Sequence, residues 1–336
     1  MRDRRNVSRI EECTSGGGHD SPSPRERPTR ARGAALLAVL GLAVVAAALW
    51  NYRTRDYRPT FSRAAGTLVA VRDSTEVGTA ADGKALTDVT LVSATGLEVR
   101  LRSRAFPRRD GERHPAVLMI GGFSTGRKAA SLPRTTENLV IASIDYPYDG
   151  PRELRGREWL RHLGDVRRGL LRTPSALLLA AQYLYTREDV DPSRVSIVGV
   201  SLGVPFAVVA AATDRRLSGA AYLHGGGDIR LLYEYAYGSR TPDWLTPLLS
   251  WTVSWLTAPL EPTKYAGEVA PRPTLQVNAT HDDFIPRACV TALYEATREP
   301  KRLLWIDGGH VDASEAEIVE SLMRLTLDWM EEEGLR

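Results

Sequence analysis

A serine between two glycines is the residue in this 336-residue chain whose surroundings most clearly suggest chemistry. Residues 199–203 read Gly-Val-Ser-Leu-Gly, which matches the pattern G-x-S-x-G. The pattern alone is common, but an apolar run leads into it and an apolar helical stretch with Pro205 in its first turn follows. A strand, a tight turn and a helix in this order form a nucleophile elbow, which exposes the serine hydroxyl next to unpaired helix N–H groups. We expect Ser201 to be a nucleophile; the alternative is a strand–helix connection with an incidental serine.

A serine nucleophile needs a histidine base, and the base needs a carboxylate to orient it. In this architecture the chain order is serine, acid, histidine. His310 follows the last strand-like segment, after Gly308 and Gly309, and is the expected base. Two adjacent acids, Asp282 and Asp283, follow the preceding strand-like segment, and residue type alone does not choose between them.

The oxyanion of an acyl-transfer reaction needs two N–H donors. The expected pair is the backbone N–H of Leu202, after the serine, and that of Phe123, in the glycine-rich loop after an earlier strand. The segment 224–227, His-Gly-Gly-Gly, resembles an oxyanion motif but follows the nucleophile, so His224 is expected only to line the pocket. This chemistry implies no metal ion and no organic cofactor.

The elements that must position these residues alternate between strands and helices. Strand-like segments are 67–72, 88–93, 96–103, 116–120, 139–145, 194–200, 220–223, 274–278 and 302–306. Helical stretches are 157–187, 205–213, 286–297 and 313–333. This alternation predicts an α/β fold with a mostly parallel central sheet and helices on both faces. The first strands lack intervening helices, which predicts antiparallel hairpins at one end of the sheet.

Residues 86–333 resemble the α/β-hydrolase superfamily, in particular its dienelactone-hydrolase and acyl-peptidase-like serine hydrolases. The resemblance is carried by Gly-Val-Ser-Leu-Gly, by the segment 189–195 before it, by Asp282-x-x-x-Pro286 and by Gly309-His310. It implies an eight-stranded sheet and a triad of Ser201, Asp282 and His310. The chain departs from the family in having Gly121-Gly122 where His-Gly is frequent, and Val204 where a second glycine is frequent.

An aromatic-rich interval, residues 228–264, separates two of the later strands at the place where this fold inserts a helical cap. It contains Trp244, Trp251 and Trp255. Two interpretations remain open. The tryptophans only pack the cap, or they line an apolar acyl pocket or dip into a bilayer.

The N-terminal 85 residues differ from the rest. Residues 1–32 form a basic, Gly/Pro/Ser-rich tail that is expected to be disordered. Residues 33–50 carry no charge over 18 positions, which at roughly 1.5 Å each spans about 27 Å, enough for a transmembrane signal anchor. Residues 51–85 are expected to be a linker and a leading strand. Eight arginines precede the apolar run, which predicts a cytoplasmic N-terminus and a hydrolase domain outside. The alternatives are a cleaved signal peptide, leaving a secreted domain, and a buried helix.

Composition excludes several classes of protein. With 43% hydrophobic and 25% charged residues, the chain is neither wholly disordered nor a multi-span membrane protein. Residues 1–58 hold 11 basic and 6 acidic residues, and the rest holds 33 and 35. The basic surplus therefore belongs to the tail, and no nucleic-acid partner is expected.

Together these patterns predict a membrane-anchored serine hydrolase that cleaves a carboxylic ester or thioester of a small, apolar acyl group through an acyl-enzyme. The alternatives are an acyltransferase, thioesterase or peptidase using the same triad, and a catalytically silent hydrolase fold used for binding. The sequence carries no indication of oligomeric state.

Overall fold

A computed structural model of the chain describes residues 29–80, 82–105, 111–134, 138–151 and 158–336. The chain divides into two units, Met1–Asn51 and Tyr52–Arg336. The predicted tail, 1–32, lies outside the described residues except for its last four positions, which are helical.

The first unit contains most of helix α1, Thr29–Thr54. Within this helix, Ala34–Thr54 has a mean hydropathy of 2.2 and is the one described helix long and apolar enough to cross a membrane. Length and composition of this kind are shared by uncleaved anchors and by signal sequences, so they do not decide between the two.

The second unit is built on one nine-stranded sheet in the part of the chain that the structure describes. The strands are β1 Leu68–Thr79, β2 Ala85–Ser93, β3 Glu98–Ala105, β4 His114–Ile120, β5 Val140–Ile144, β6 Val190–Val200, β7 Ala220–Leu223, β8 Thr274–Ala279 and β9 Lys301–Ile306. Their order is β1-β2-β3-β5-β4-β6-β7-β8-β9. The pairs β1–β2, β2–β3 and β3–β5 are antiparallel and the others are parallel. The predicted hairpins are therefore present. The sheet has nine strands where the resemblance implied eight, because β1 pairs with β2 at the edge.

The helices that follow α1 are α2 Arg58–Ala65, α3 Glu158–Thr186, α4 Val204–Thr213, α5 Ile229–Gly238, α6 Thr246–Leu256, α7 Arg287–Ala296 and α8 Ala316–Glu332. They cover both faces of the sheet. Strand side chains alternate between faces, and in β4 Leu118 packs in the same apolar cluster as α3 and α4, whereas Val117 packs in the same cluster as α8. This two-sided burial explains why the central strands are continuous apolar runs.

The parallel strands place their carboxyl ends along one edge of the sheet. Ser201 directly follows β6, Asp282 follows β8 and His310 follows β9. In open α/β sheets this edge is where ligands bind. The predicted cap interval contains α5 and α6, between β7 and β8.

Candidate active site

The turn at Ser201 is strained and closely packed. Ser201 has a φ of +53°, in the left-handed region that side chains other than glycine rarely occupy. A Cβ at Gly203 would lie 2.0 Å from the carbonyl oxygen of Ile120, at the end of β4, and a Cβ at Gly199 would lie 2.7 Å from the Cβ of Ala207. The two glycines of the motif are therefore required because strand, turn and helix α4 pack backbone against backbone. Strain of this kind is found where function requires a side chain to be held outward.

The structure brings together the three predicted triad residues. The Oγ of Ser201 lies 2.7 Å from Nε2 of His310, and Nδ1 of His310 lies 2.8 Å from Oδ2 of Asp282. An ionised carboxylate only accepts hydrogen bonds, so Nδ1 of a neutral His310 carries the proton and donates it to Asp282. Nε2 is then left to accept from the Ser201 hydroxyl, which is the arrangement a general base requires.

Asp282 and Asp283 occupy opposite environments. Asp282 is buried, and its Oδ1 accepts the backbone N–H groups of Phe284 and Ile285 at 2.8 Å each. Burial by itself raises the pKa of this carboxyl, but hydrogen bonds from His224, His310 and the two backbone groups outweigh it and hold the pKa far below its usual range. Asp283 is exposed. The segment Asp282-x-x-x-Pro286, whose proline immediately precedes α7, therefore indicated the acid that faces the histidine.

The two predicted oxyanion donors lie in the loops that flank the nucleophile. Leu202 is in the first turn after Ser201, where N–H groups have no partner within the helix. Phe123 follows β4, and its ring packs on Tyr146 and Tyr148 with centroids 5.0 and 5.4 Å apart. The Tyr146 hydroxyl donates to the carbonyl of Gly121 at 2.6 Å, which holds this loop in place.

His224 is not among the residues that line the cavity beside Ser201, contrary to the expectation from its sequence position. It is fully buried, at the end of β7, with a φ of +50°. Its Nδ1 lies 3.5 Å from Oδ2 of Asp282 and 3.2 Å from the backbone nitrogen of Val311, the residue after the histidine base. Protonated at Nδ1, the ring donates to the acid; protonated at Nε2, it accepts from the base loop. Either tautomer ties β7 to the triad.

The glycines after His224 serve close packing. A Cβ at Gly225 would lie 2.3 Å from a methyl carbon of Val204, and one at Gly227 would lie 2.4 Å from a methyl carbon of Thr263. The glycines of residues 224–227 therefore allow the chain after β7 to pack closely against the start of α4 and the end of the cap interval.

One described cluster has the composition of a metal site. His224, Asp282 and His310 offer ligand atoms within 4.8 Å of one another. The same atoms already form the hydrogen bonds of the triad, and a metal ion among them would separate His310 from Asp282. The donor set therefore fits a hydrogen-bonded triad better than a metal centre.

A cavity of about 290 Å³ opens beside Ser201. Its walls are the sheet face at Val198 and Leu223, the glycine loop after β4, and the first turns of α8. The residues that α8 contributes are Val319, Leu322, Met323 and Thr326. The sequence analysis identified α8 as amphipathic but did not connect it with the site. The apolar face of α8 is the sequence feature that indicates its burial. The same pattern is expected whether a residue on that face packs in the core or lines a cavity.

The cap tryptophans are not among the residues that line this cavity, which corrects the suggestion that they form an acyl pocket. Trp244 is 78% exposed and Trp251 is 53% exposed. Trp255 is partly buried and stacks on Trp251 and on Tyr52. Aromatic content predicted apolar surface correctly, but not the direction in which that surface faces.

Comparison with solved structures identifies the fold. An acetyl xylan esterase from Paenibacillus sp. R4 aligns over 82% of this chain and 93% of its own, with 17% identity and a TM-score of 0.57. Acetyl xylan esterase 1 from Thermoanaerobacterium sp. JW/SL YS485 aligns over 81% and 94%, with 16% identity and a TM-score of 0.55. A cold-adapted esterase from an Arctic intertidal metagenomic library aligns over 79% and 99%, with 14% identity and a TM-score of 0.51. No protein-family model and no curated protein sequence matches the chain. At these identities the likeness shows the α/β-hydrolase fold and confirms the fold predicted from the sequence.

Proposed function

We propose that this chain, which has the α/β-hydrolase fold, is a membrane-anchored serine esterase that cleaves small acyl esters through an acyl-enzyme. The observation that carries the proposal is the unbroken hydrogen-bonded chain from Ser201 through His310 to Asp282. The strained turn that holds Ser201 supports the same role.

In the proposed acylation step, His310 removes the proton from Ser201 as the serine oxygen attacks the ester carbonyl. The carbonyl oxygen becomes an oxyanion, which accepts hydrogen bonds from the N–H groups of Leu202 and Phe123. The imidazolium of His310 is stabilised by Asp282, whose low pKa keeps it ionised across the neutral range. His310 then gives its proton to the departing alcohol, and the acyl group remains on Ser201.

Deacylation repeats these roles with water. His310 takes a proton from a water molecule that attacks the acyl-enzyme, and the second oxyanion occupies the same pair of N–H groups. Collapse of this intermediate returns the proton to Ser201 and releases the acid.

The cavity beside Ser201 supports a small apolar acyl group as the substrate. Its volume of about 290 Å³ lies at the small end of ligand pockets, which are typically ~300–1,000 Å³. The walls from β6, β7 and α8 are mainly aliphatic, so a short alkyl chain gains contact area there and a charged group does not. The acetyl xylan esterases that share the fold are named for a small acyl group, which is consistent with this proposal.

We further propose that residues 33–50 remain as an uncleaved signal anchor, with the N-terminus in the cytoplasm and the esterase domain outside. The charge-free span and the arginines before it support this orientation. An acyltransferase on the same triad differs only in the acceptor that replaces water.

A fluorophosphonate probe tests the nucleophile without knowledge of the substrate. The wild-type chain is expected to be labelled at Ser201 and to hydrolyse p-nitrophenyl acetate. Ser201→Ala should abolish labelling and reduce turnover by several orders of magnitude, because the oxyanion donors are backbone groups and survive the change. Unchanged labelling and hydrolysis in Ser201→Ala would overturn the assignment. Release of free acid when an alcohol acceptor is also present distinguishes the esterase from an acyltransferase.

A further inference from the structure

The second cap helix, α6, buries two serines and leaves two large apolar side chains exposed, which is unusual for a helix on the surface of a soluble protein. Its eleven residues, Thr-Pro-Leu-Leu-Ser-Trp-Thr-Val-Ser-Trp-Leu, contain no charge. The two residues it buries are serines, Ser250 and Ser254, whereas Leu248 is 61% exposed and Trp251 is 53% exposed. A helix that only packs against its domain buries its leucines and tryptophans and exposes its serines. With Trp244, just before the helix, Leu248 and Trp251 form what we call the apolar cap face.

Specific interactions hold the helix in this orientation. The Ser250 hydroxyl donates to Oε1 of Glu234 on α5 at 2.8 Å, and the same carboxylate accepts Nη1 of Arg230 at 2.6 Å. Turning α6 to bury Trp251 would remove the serine from this carboxylate and expose it instead. The outward direction of the apolar cap face is therefore built into the α5–α6 packing.

The chain that follows the apolar N-terminal stretch is attached to this same helix. Tyr52 stacks on Trp255 with ring centroids 6.2 Å apart, and its hydroxyl accepts Nη2 of Arg167 at 2.9 Å. The guanidinium carbon of Arg53 lies 5.7 Å from the ring centroid of Trp251. Lys264, at the end of the cap interval, donates to the carbonyl of Arg53 at 3.0 Å. Residues two and three positions after Trp50 are thus fixed against α6.

We infer that the apolar cap face is a lipid-contacting surface that rests in the interfacial region of the bilayer in which the chain is anchored. The inference depends on the proposed anchor: if residues 33–50 span the membrane, Tyr52 and Arg53 lie at headgroup level, and α6 is held at that level with them. Tryptophan suits this depth because its ring is apolar while its indole N–H prefers a polar partner.

A second copy of the chain is a weaker candidate for the occupant. A stable dimer interface buries about 800 Å² on each partner, from some 20–30 residues, and three side chains supply only a small part of that. Contact with the bilayer needs no such area, because the proposed anchor already keeps the domain next to the membrane. The apolar cap face adds only the free energy of transferring its own side chains into the interface.

The test uses the full-length protein reconstituted into phosphatidylcholine–phosphatidylglycerol vesicles. Vesicles carry either no bromine, bromine near the top of the acyl chains, or bromine near the chain ends, and tryptophan emission is measured in each. The double variant Trp244→Phe with Trp251→Phe keeps the surface apolar, so it should fold. Trp305→Phe, on β9, is the matched control. Fluorophosphonate labelling checks that all variants remain folded.

We expect the shallow bromines to quench Trp305→Phe at least as strongly as the wild type, because this change removes a tryptophan outside the cap face, and to quench the double variant by clearly less. The difference should be smaller with the deep bromines, because the cap face lies at the interface. Equal quenching of wild type and double variant would overturn the inference while leaving the anchor intact. A chain whose mass shows that residues 33–50 have been removed would overturn the anchor, and the inference with it. Equal quenching of the wild type and the double variant, together with dimers cross-linked through the cap face, would assign the face to a second copy and overturn the inference.

Discussion

The geometry of the proposed triad depends most directly on the carboxylate of Asp282. It is buried and accepts hydrogen bonds from His310 and from the backbone N–H groups of Phe284 and Ile285. Its neighbour Asp283 has the same chemistry but is exposed. The chain bends at residues 283–285, with the Asp282 carboxylate inside the bend and Asp283 on its solvent side, so only Asp282 reaches the histidine.

Asp282→Asn and Asp283→Asn form a matched pair. We expect Asp282→Asn to lose about 10⁴-fold in turnover, as the same change does in a triad protease, because an amide favours the wrong imidazole tautomer. Asp283→Asn should cost roughly tenfold or less, since exposed substitutions usually stay within about 0.5 kcal/mol. Turnover of both variants on one activated ester is the measurement. A crippled Asp283→Asn beside an active Asp282→Asn would move the acid by one residue.

The low pKa of Asp282 also predicts how stability depends on pH. Its folded-state pKa lies below its unfolded value, so the ionised form contributes stability above the unfolded pKa, about 3.9. That contribution is lost as the pH falls through the interval between the two values. The difference in unfolding free energy between wild type and Asp282→Asn should therefore be constant near neutral pH and decrease below about pH 4. Urea unfolding at a series of pH values measures it, and a difference that grows towards low pH would contradict the assignment.

His224 is expected to act as a positioning residue, because it contacts Asp282 and the residue after His310 without reaching the cavity. His224→Leu leaves the Val311 N–H or the acid without its partner, and we expect a loss of about 10- to 100-fold in kcat with little change in KM. His224→Asn supplies both a donor and an acceptor and tolerates the φ of +50°, so it should recover much of the loss. If both variants lose activity equally while remaining folded, the role is packing alone.

At the level of elements, α8 occupies the position beside the nucleophile that composition suggested for the cap. The cap carries the tryptophans, yet the cavity beside Ser201 is lined by Val319, Leu322 and Met323 of α8. The cavity is small, so acyl chains should gain contact only until it is filled.

Activity on p-nitrophenyl esters is expected to peak at short acyl chains and fall towards longer ones. Each methylene that fits contributes up to about 0.8 kcal/mol, and those that do not fit contribute nothing or clash. Val319→Phe should narrow the cavity and move the peak to a shorter chain. Trp244→Phe, on the exposed cap surface, should leave the profile unchanged. A profile that shifts with Trp244→Phe and not with Val319→Phe would restore the tryptophans as the acyl site.

At the level of the whole molecule, the proposed esterase domain and the apolar N-terminal helix define where the proposed chemistry takes place. The helix segment Ala34–Thr54 is apolar enough to span a bilayer, and the arginines before it favour a cytoplasmic N-terminus. The esterase would then act on substrates outside the cell membrane, beside its surface.

Fractionation and protease protection test this topology. The full-mass chain is expected in the membrane fraction, with the esterase domain cleaved by protease added outside intact cells. A soluble product that begins near Leu49 would show that the segment is a signal peptide. A domain protected until the cells are opened would reverse the orientation.

The amino-acid sequence predicted the order of the strands and helices, and together with the family resemblance it predicted the proposed triad. All nine strand segments appear at the predicted places. The central strands are continuous apolar runs because both their faces are buried, whereas β3 alternates between exposed and buried residues and is recognised by that period of two. Ser201 and His310 could be named because the residues that follow parallel strands converge at one edge of the sheet. The choice of Asp282 over Asp283 came from the resemblance to the acid loop of the α/β-hydrolases.

The packing of distant segments fixes the environments of side chains that the sequence could place but not orient. His224 was expected to line the pocket, but it is buried in contact with the acid because β7 ends directly beside Asp282 and Val311. Trp251 turned outward because Ser250 is held inward by Glu234. The hydrophobicity of a side chain indicates that it prefers an apolar neighbour. Which neighbour it contacts depends on how distant segments of the chain pack, and a local stretch of sequence does not contain that information.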